Sequence, residues 1–472
     1  MSGLPPRTPI DSAPDVEQAL FEVRKRIHPR AVSGWFAGWR WALVWATQLL
    51  FYGLPWLTWG DRPAVLFALE ERRFYLFGLV LYPQDFIYLT GVLIVSALSL
   101  FLFTAVAGRL WCGYACPQTV YTELFMWIER MIEGDRNARI KLDQSSWSAD
   151  KIIRRGSRHV AWIAAALWTG ISFVGYFTPI RDLLAAMGTM SLGSWEVFWV
   201  LFYSFATWGN AGFMREQVCK YMCPYARFQS AMFDRDTLII TYDTERGEPR
   251  GSRSRKADPK TLGLGRCVDC GICVEVCPTG IDIRKGLQYE CIGCAACIDG
   301  CNQVMDRMSY PRGLIRYTTT RALEEGLDSR AVWRRVLRPR VLIYGAILLL
   351  VVTALATALA LRTPFKADII RDRMLSRVVE DGLIENSYGL QIMNSSEAAR
   401  RFRVSVSGID GVSLAGESEF EVGGAAVRRV PLSVRIEPGR GQAGSNPIRF
   451  SIQAVDSPGL SVEARSTFFI PR

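Results

Sequence analysis

Histidine is nearly absent from this 472-residue chain: His28 and His159 are the two it has. One sits in a proline-dotted N-terminal stretch and the other at the head of an apolar run. Neither arrangement offers haem a pair of axial ligands, and both imidazoles are expected to be ordinary interfacial side chains. No Walker loop or nucleophile elbow occurs, and Gly263-Leu-Gly265 lacks both the remaining glycine and the strand–helix setting of a dinucleotide loop. A secretory signal is not expected, because Arg24, Lys25, Arg26 and Arg30 lead into a full-length apolar run rather than a short core with a cleavage site. Cysteine stops at Cys301. Residues 363–472 contain neither cysteine nor tryptophan.

Twelve cysteines are present, all before that point. Eight of them form two matching runs. The first is Cys267-Val-Asp-Cys270-Gly-Ile-Cys273-Val-Glu-Val-Cys277-Pro278, and the second is Cys291-Ile-Gly-Cys294-Ala-Ala-Cys297-Ile-Asp-Gly-Cys301-Asn302. C-x2-C-x2-C-x3-C, twice, is the ligand ladder of a bacterial-type ferredoxin with two [4Fe-4S] clusters. Three thiolates two residues apart wrap one cube edge, and the fourth is carried to the neighbouring cluster. That rule gives Cys267, Cys270, Cys273 and Cys301 to the first cluster, and Cys291, Cys294, Cys297 and Cys277 to the second. Gly271, Gly293 and Ala295 keep bulk away where backbone passes close to sulfide. Structural zinc prefers separated cysteine pairs, and disulfides fit worse. Asn302 departs from the proline that usually follows the last cysteine, which leaves the ligand set unchanged.

The other four cysteines form a repeat. Cys112-Gly-Tyr114-Ala-Cys116-Pro117 and Cys219-Lys-Tyr221-Met-Cys223-Pro224 are both C-x-Y-x-C-P. Each follows an apolar run and precedes an amphipathic segment, Gln118–Met131 and Tyr225–Phe233. Proline turns the preceding residue away from helix and starts the next helix well. Two such turns related by a pseudo-repeat are expected to bring four thiols together. Converging sulfurs suit Cu(I) or a third iron–sulfur cluster, with a redox dithiol as the next option. Met187, Met190, Met214 and Met222 are further soft donors, more in keeping with packing.

Five stretches reach bilayer length: Trp39–Trp59, Phe86–Ala107, Val160–Ile180, Trp195–Met214 and Val341–Leu361. Residues 108–159 carry nine Lys or Arg and 215–340 carry twenty-two, against one in 181–194 and three in 60–85. The positive-inside rule therefore puts the N-terminus and the cysteine-rich segment in the cytoplasm and the C-terminal region outside. The net charge of +11 reflects this asymmetry rather than nucleic-acid binding. Reduced thiols on the cytoplasmic side agree with it. Residues 61–85 hold Glu70-Glu71-Arg72-Arg73 at their centre and are expected to form an outer-surface amphipathic hairpin. Alternating runs after Lys366 predict an antiparallel, immunoglobulin-like β-sandwich.

The expected chain is thus multi-domain, a five-helix transmembrane bundle with an inserted ferredoxin and an all-β C-terminal part. Residues 1–34 are expected to be a disordered cytoplasmic tail and 35–235 a four-helix transmembrane region. Residues 236–338 would then be a cytoplasmic ferredoxin-like domain, 339–362 the fifth transmembrane helix and 363–472 a periplasmic sandwich.

Gly108-Arg-Leu-Trp-Cys112-Gly-Tyr-Ala-Cys116-Pro-Gln-Thr-Val-Tyr121, with Tyr82-Pro-Gln-Asp-Phe86, the Cys219–Pro224 motif, the double ferredoxin run and the sandwich, resembles the CcoG (FixG, RdxA) family of cytochrome c oxidase accessory proteins. The resemblance implies a bacterial inner-membrane oxidoreductase that matures cbb-type oxidases by reducing Cu(II) to Cu(I), working with the oxidase assembly machinery and copper chaperones. It implies electrons supplied from the clusters at Cys267–Cys301, with Cys112, Cys116, Cys219 and Cys223 nearest copper. The electron donor is not indicated. Two other classes share the features: a quinol-linked relay of the NosR/NapH sort, and a non-catalytic assembly scaffold with redox-sensing clusters.

Overall fold

The computed structural model describes residues 26–259, 261–371, 377–379, 382–457 and 459–471. The chain divides into two compact units, one of residues 1–44, 106–162 and 209–335, the other of 45–105, 163–208 and 336–472. The tail expectation for 1–25 lies outside the described residues.

In the first unit, residues 26–34 are tied down rather than loose. Arg30 donates its backbone N–H to the Glu275 carbonyl at 2.8 Å, His28 bonds Asp143 at 2.8 Å, and the Ala31 N–H reaches Asp135. The cysteine-rich segment is bracketed by a two-stranded antiparallel ladder, Ile239–Tyr242 against Ile315–Thr318. Short alternating apolar residues make these strands, and their buried faces (Ile240, Tyr242, Ile315) cover the cysteine loops. Helix Pro117–Glu133 starts on its proline, and its buried side carries Phe125 and Met126. Phe125 stacks on Trp162, whose indole N–H donates to the Phe125 carbonyl at 3.1 Å.

In the second unit, two helices have the length and apolarity to cross a membrane, Pro83–Ala107 and Pro339–Ala360. The Tyr88 hydroxyl donates to the Ala358 carbonyl at one end, and Arg338 donates to the Ala105 carbonyl at the other, so the pair runs antiparallel. Their outer side chains, among them Ile87, Leu93, Ile343 and Leu350, are exposed. The remaining apolar runs depart from their expected limits. The first helix, Trp35–Gly53, ends early, where Gly53 and Pro55 break it. The third is displaced toward the N-terminus, as Ala149–Val174, because a charged first third (Lys151, Arg154, Arg155, Arg158) continues the same helix. The fourth is α-helical over Ser194–Thr207 and widens to π-type turns over Trp208–Met214.

Residues 65–81 form a three-stranded antiparallel meander, Val65–Ala68, Arg73–Leu76 and Leu79–Leu81. Its buried face (Leu66, Tyr75, Val80) packs on Met393. Tyr82 donates its hydroxyl to the Asn394 carbonyl at 3.0 Å. Asp85 accepts from the Tyr82 N–H at 3.0 Å and pairs with Arg362 at 2.7 Å and Lys366 at 2.5 Å, so the Tyr82–Phe86 motif is a clamp.

The C-terminal part is a sandwich of two antiparallel sheets. Its strands are β1 Phe365–Arg371, β2 Ile384–Asn394, β3 Arg400–Ser407, β4 Ser413–Ala415, β5 Glu419–Val422, β6 Val427–Ile436, β7 Gly444–Ala454 and β8 Ser461–Ile470. One sheet has the order β4-β6-β2-β1, with Arg377–Val378 also on β2, and the other β5-β3-β7-β8. Alternation aims Leu390, Ile392, Phe402, Val434, Phe450, Ile452 and Phe468 into one core. Strands β1 and β4 were not expected from the pattern. Strand β4 has three residues, too few to alternate visibly.

Candidate functional site

The two cysteine runs fold alike. Asp269 and Gly271 flank Cys270 with φ of 53° and 70°, and Gly293 and Ala295 flank Cys294 with φ of 68° and 59°. Paired left-handed residues curl each loop so that its three cysteines face inward. For Asp269 and Ala295 this conformation costs about 1–2 kcal/mol each. A short helix follows each loop, Ile272–Glu275 and Ala296–Met308, and brings the fourth cysteine of each run round to the other loop.

Two cavities result. The first is walled by Cys267, Cys270, Cys273 and Cys301, with Tyr242 and Met305 beside them. The second is walled by Cys277, Cys291, Cys294 and Cys297, and Cys273 lines it as well as the first. Burial, reinforced by neighbouring thiols, pushes Cys301 and Cys291 each up to about 12. Such thiols ionise only beside compensating positive charge. Each cavity is walled by four cysteine sulfurs of the spacing rule, a donor set that fits an iron–sulfur cluster.

Asn302 lies inside the helix Ala296–Met308, where proline would break it, and its side-chain oxygen accepts the Gly313 N–H at 3.1 Å. The departure from the usual motif therefore has a structural use.

The four remaining cysteines are brought into one neighbourhood. Cys116 and Cys223 are extended (ψ 128° and 108°), each followed by a helix that starts on proline, Pro117–Glu133 and Pro224–Met232. Burial pushes the Cys116 thiol up, against the opposing effect of the Gln118 and Thr119 backbone N–H groups. Cys112 lies on the short helix Leu110–Tyr114 and donates to Gln229 Oε1 at 3.4 Å. Cys219 sits in a π-type turn, Val218–Met222. Burial first, then Cys116, Cys112 and Cys223, push the Cys219 thiol up to about 12. Among the described residues no three Cys, His, Asp or Glu side chains stand close enough to hold one metal ion.

Two of these four lie against the wall of the second cavity. Cys112 and Cys219 pack on the patch of Ile292, Cys294 and Ala296. A Cβ on Gly113 would stand 2.8 Å from Cys294 N and Cα and from the Ile292 carbonyl. One on Gly293 would meet the Arg109 carbonyl carbon at 3.1 Å. The two backbones therefore touch where each has glycine.

Sequence reasoning missed the charged and phenolic groups here. The buried Arg109 guanidinium donates to the carbonyls of Tyr289 and Ala226 and has Cys112, Cys291, Cys219 and Cys223 as its electrostatic neighbours. Arg40 donates to the Cys294 carbonyl at 3.1 Å, and the Tyr317 hydroxyl to that of Gly293. Arg109 stands in the motif Gly108–Tyr121, but spacing alone does not tell a site cation from a loop arginine. His159 bonds Arg158 at 2.9 Å and stacks on Phe213. Met187 packs in an apolar cluster with Ile171 and Leu183, while Met190 and Met222 are exposed.

Three family descriptions match the chain: a 4Fe-4S dicluster domain over 214–320, a 4Fe-4S binding domain over 89–133, and the Ig-like fold at the C-terminus of FixG over 355–471. Protein RdxA of Cereibacter sphaeroides is 41% identical over 424 residues, 87% of this chain and 89% of that protein. Nitrogen fixation protein FixG of Rhizobium meliloti is 36% identical over 485 residues, 94% and 92% of the two chains. Ferredoxin-type protein NapH of Haemophilus influenzae is 21% identical over 228 residues, 46% of this chain and 68% of its own. With ferredoxin loops, an Ig-like C-terminal sandwich and relatives matched over most of their length, the chain belongs to the FixG/RdxA family of iron–sulfur electron-transfer proteins.

Proposed function

We propose that this protein is an inner-membrane oxidoreductase that reduces Cu(II) to Cu(I) at Cys112, Cys116, Cys219 and Cys223 during maturation of a cbb-type oxidase. The observation that carries the reading is the backbone contact of Gly113 with Cys294, which joins the quartet to the wall of the second cysteine cavity. When bound, [4Fe-4S] clusters supply single electrons, the number the copper step needs. Cu(II) gains one electron and leaves as Cu(I), and soft thiolates favour that product. In this reading Cys267, Cys270, Cys273 and Cys301 hold one cluster, and Cys277, Cys291, Cys294 and Cys297 the other. Arg109 is the cation that partly offsets four crowded thiolates.

The five-span topology, with the ferredoxin part cytoplasmic and the sandwich periplasmic, belongs to the same proposal. It is supported by the distribution of basic residues and by the two long apolar helices. Copper chaperones and the oxidase assembly machinery are the partners this role requires.

A second reading is favoured by one observation: the 4Fe-4S binding match over 89–133 encloses Cys112 and Cys116. In it the quartet holds a third cluster and the protein relays electrons, as in the NapH likeness. Iron and sulfide analysis of anaerobic protein separates the two, with wild type beside a Cys112/Cys116/Cys219/Cys223→Ser variant. About eight iron in both, with Cu(I) formed in wild type alone, is the expected result. About twelve iron falling to about eight gives the quartet to a cluster and moves the relay reading forward.

A further inference from the structure

Away from the cysteines, the first unit contains a cavity of about 180 Å³ walled by Arg26, Arg158 and Arg215, by Trp162 and Phe213, and by Glu216. Three guanidiniums and one carboxylate leave its wall net positive. Behind it lies Glu129, fully buried, which takes Arg26 at 2.6 Å, Arg139 at 3.0 Å and Arg215 at 2.9 Å. Glu133 pairs with Arg158 at 2.9 Å and Arg155 at 3.6 Å. Two buried carboxylates thus serve five arginines, and Asp143 relieves Arg155 alone.

The shortage shows in the donors. Arg215 is only 5% exposed, yet among the described residues its Nη1 has no hydrogen-bond acceptor, and neither has Arg158 Nε. Both guanidiniums lie over the Trp162 ring, at 4.6 Å for Arg158 and 5.5 Å for Arg215, so the indole fixes them without neutralising them. Burial first, then Arg26 and Arg155, pull Arg158 down to about 10 against the opposing effect of Glu133 and Glu129. Glu216 is bonded by the Gln217 amide at 3.3 Å.

We infer that this cavity binds a phosphate group, held by Arg26, Arg158 and Arg215 over Trp162. A tetrahedral oxyanion has enough oxygens for three guanidiniums, where a planar carboxylate has two, and fork-shaped donors match it in pairs. The same chemistry comes from a phospholipid headgroup or from free phosphate.

The test uses the full-length holoprotein and two probes. Inorganic phosphate is titrated calorimetrically in detergent at constant ionic strength. In parallel, protein reconstituted with phosphatidylglycerol is stripped with detergent and its retained lipid phosphorus counted. Arg158→Gln, Arg158→Lys and Arg215→Gln are compared with wild type, with iron content reporting an intact fold. Saturable phosphate binding weakened at least about tenfold in Arg158→Gln and largely kept in Arg158→Lys supports the site with a free anion as ligand. Retention of about one phospholipid, lost in Arg158→Gln, supports it with a lipid as ligand. Neither probe held by wild type, or binding indifferent to Arg158→Gln and Arg215→Gln in protein of full iron content, overturns it.

Discussion

Gly113 and Cys294 meet backbone to backbone, with 2.8 Å between the place a Cβ would take on residue 113 and the Cys294 nitrogen. A cysteine turn that follows the helix Phe86–Ala107 is thereby seated on a ferredoxin loop about 180 residues later in the chain. The contact cannot yield by rotating a side chain, because both partners are main chain.

Gly113→Ala should therefore cost about 1–3 kcal/mol and strike the second ferredoxin loop first. The expected outcome is early loss of iron from the cluster at Cys291–Cys297 on mild chelation, with the other retained. A comparison is Gly271→Ala, whose Cβ meets open space and whose cost is the left-handed φ alone. Equal chelator resistance of Gly113→Ala and wild type would contradict the contact.

The crossing of fourth ligands is testable one serine at a time. Cys301→Ser should perturb the cluster that Cys270→Ser perturbs, and Cys277→Ser the one that Cys294→Ser perturbs. Electron paramagnetic resonance of the dithionite-reduced variants reads this directly. Pairing by sequence run, Cys277 with Cys270, would contradict the two cavities.

Asn302→Pro restores the residue usual after the last ferredoxin cysteine and should be harmful. It places proline inside a helix, at a cost of about 3 kcal/mol or more, and removes the bond to the Gly313 N–H. Asn302→Ala loses the bond alone, at about 1 kcal/mol. Thermal midpoints should fall in the order wild type, alanine, proline.

Glu129 gives a pH prediction. Its arginine partners overcome burial and hold its carboxyl at about 2, below its ordinary 4.5. A depressed acid stabilises the fold fully above its unfolded value and loses that contribution as pH falls toward its folded value. Glu129 should therefore contribute a flat amount from pH 5 upward and fail between about pH 4 and 2. Glu129→Gln should lower stability by about 3–5 kcal/mol at neutral pH, since it leaves buried guanidiniums unpaired. Its deficit relative to wild type should shrink as pH drops through that window, as read from urea midpoints.

Periodicity and spacing made some of this legible in advance. The eight ferredoxin cysteines obey one spacing rule, and the two cavities group them as that rule does except that Cys273 lines both. The longer sandwich strands, β2, β3, β6, β7 and β8, alternate over enough residues to be seen, whereas β4 does not. Helix Phe86–Ala107 matches its expected limits because its apolar run is bounded by Asp85 and Gly108. Helix Ala149–Val174 does not, because hydropathy cannot tell that its charged first third belongs to the same helix. The positions of Arg109, Gln229 and most arginines around Glu129 were illegible, since Arg109 and Gln229 meet partners 117 residues away, Arg26 and Arg215 lie 103 and 86 residues from Glu129, and these pairs meet through tertiary packing alone.

The central claim is that the quartet receives single electrons and passes them to copper. Stopped-flow mixing of fully reduced anaerobic protein with Cu(II) tests it, following cluster reoxidation and Cu(I) formation together. The account predicts one Cu(I) per electron lost in wild type, and slowing of both signals by at least about a hundredfold in the Cys112/Cys116/Cys219/Cys223→Ser variant at unchanged ferredoxin iron. Equal rates in the two proteins would contradict it.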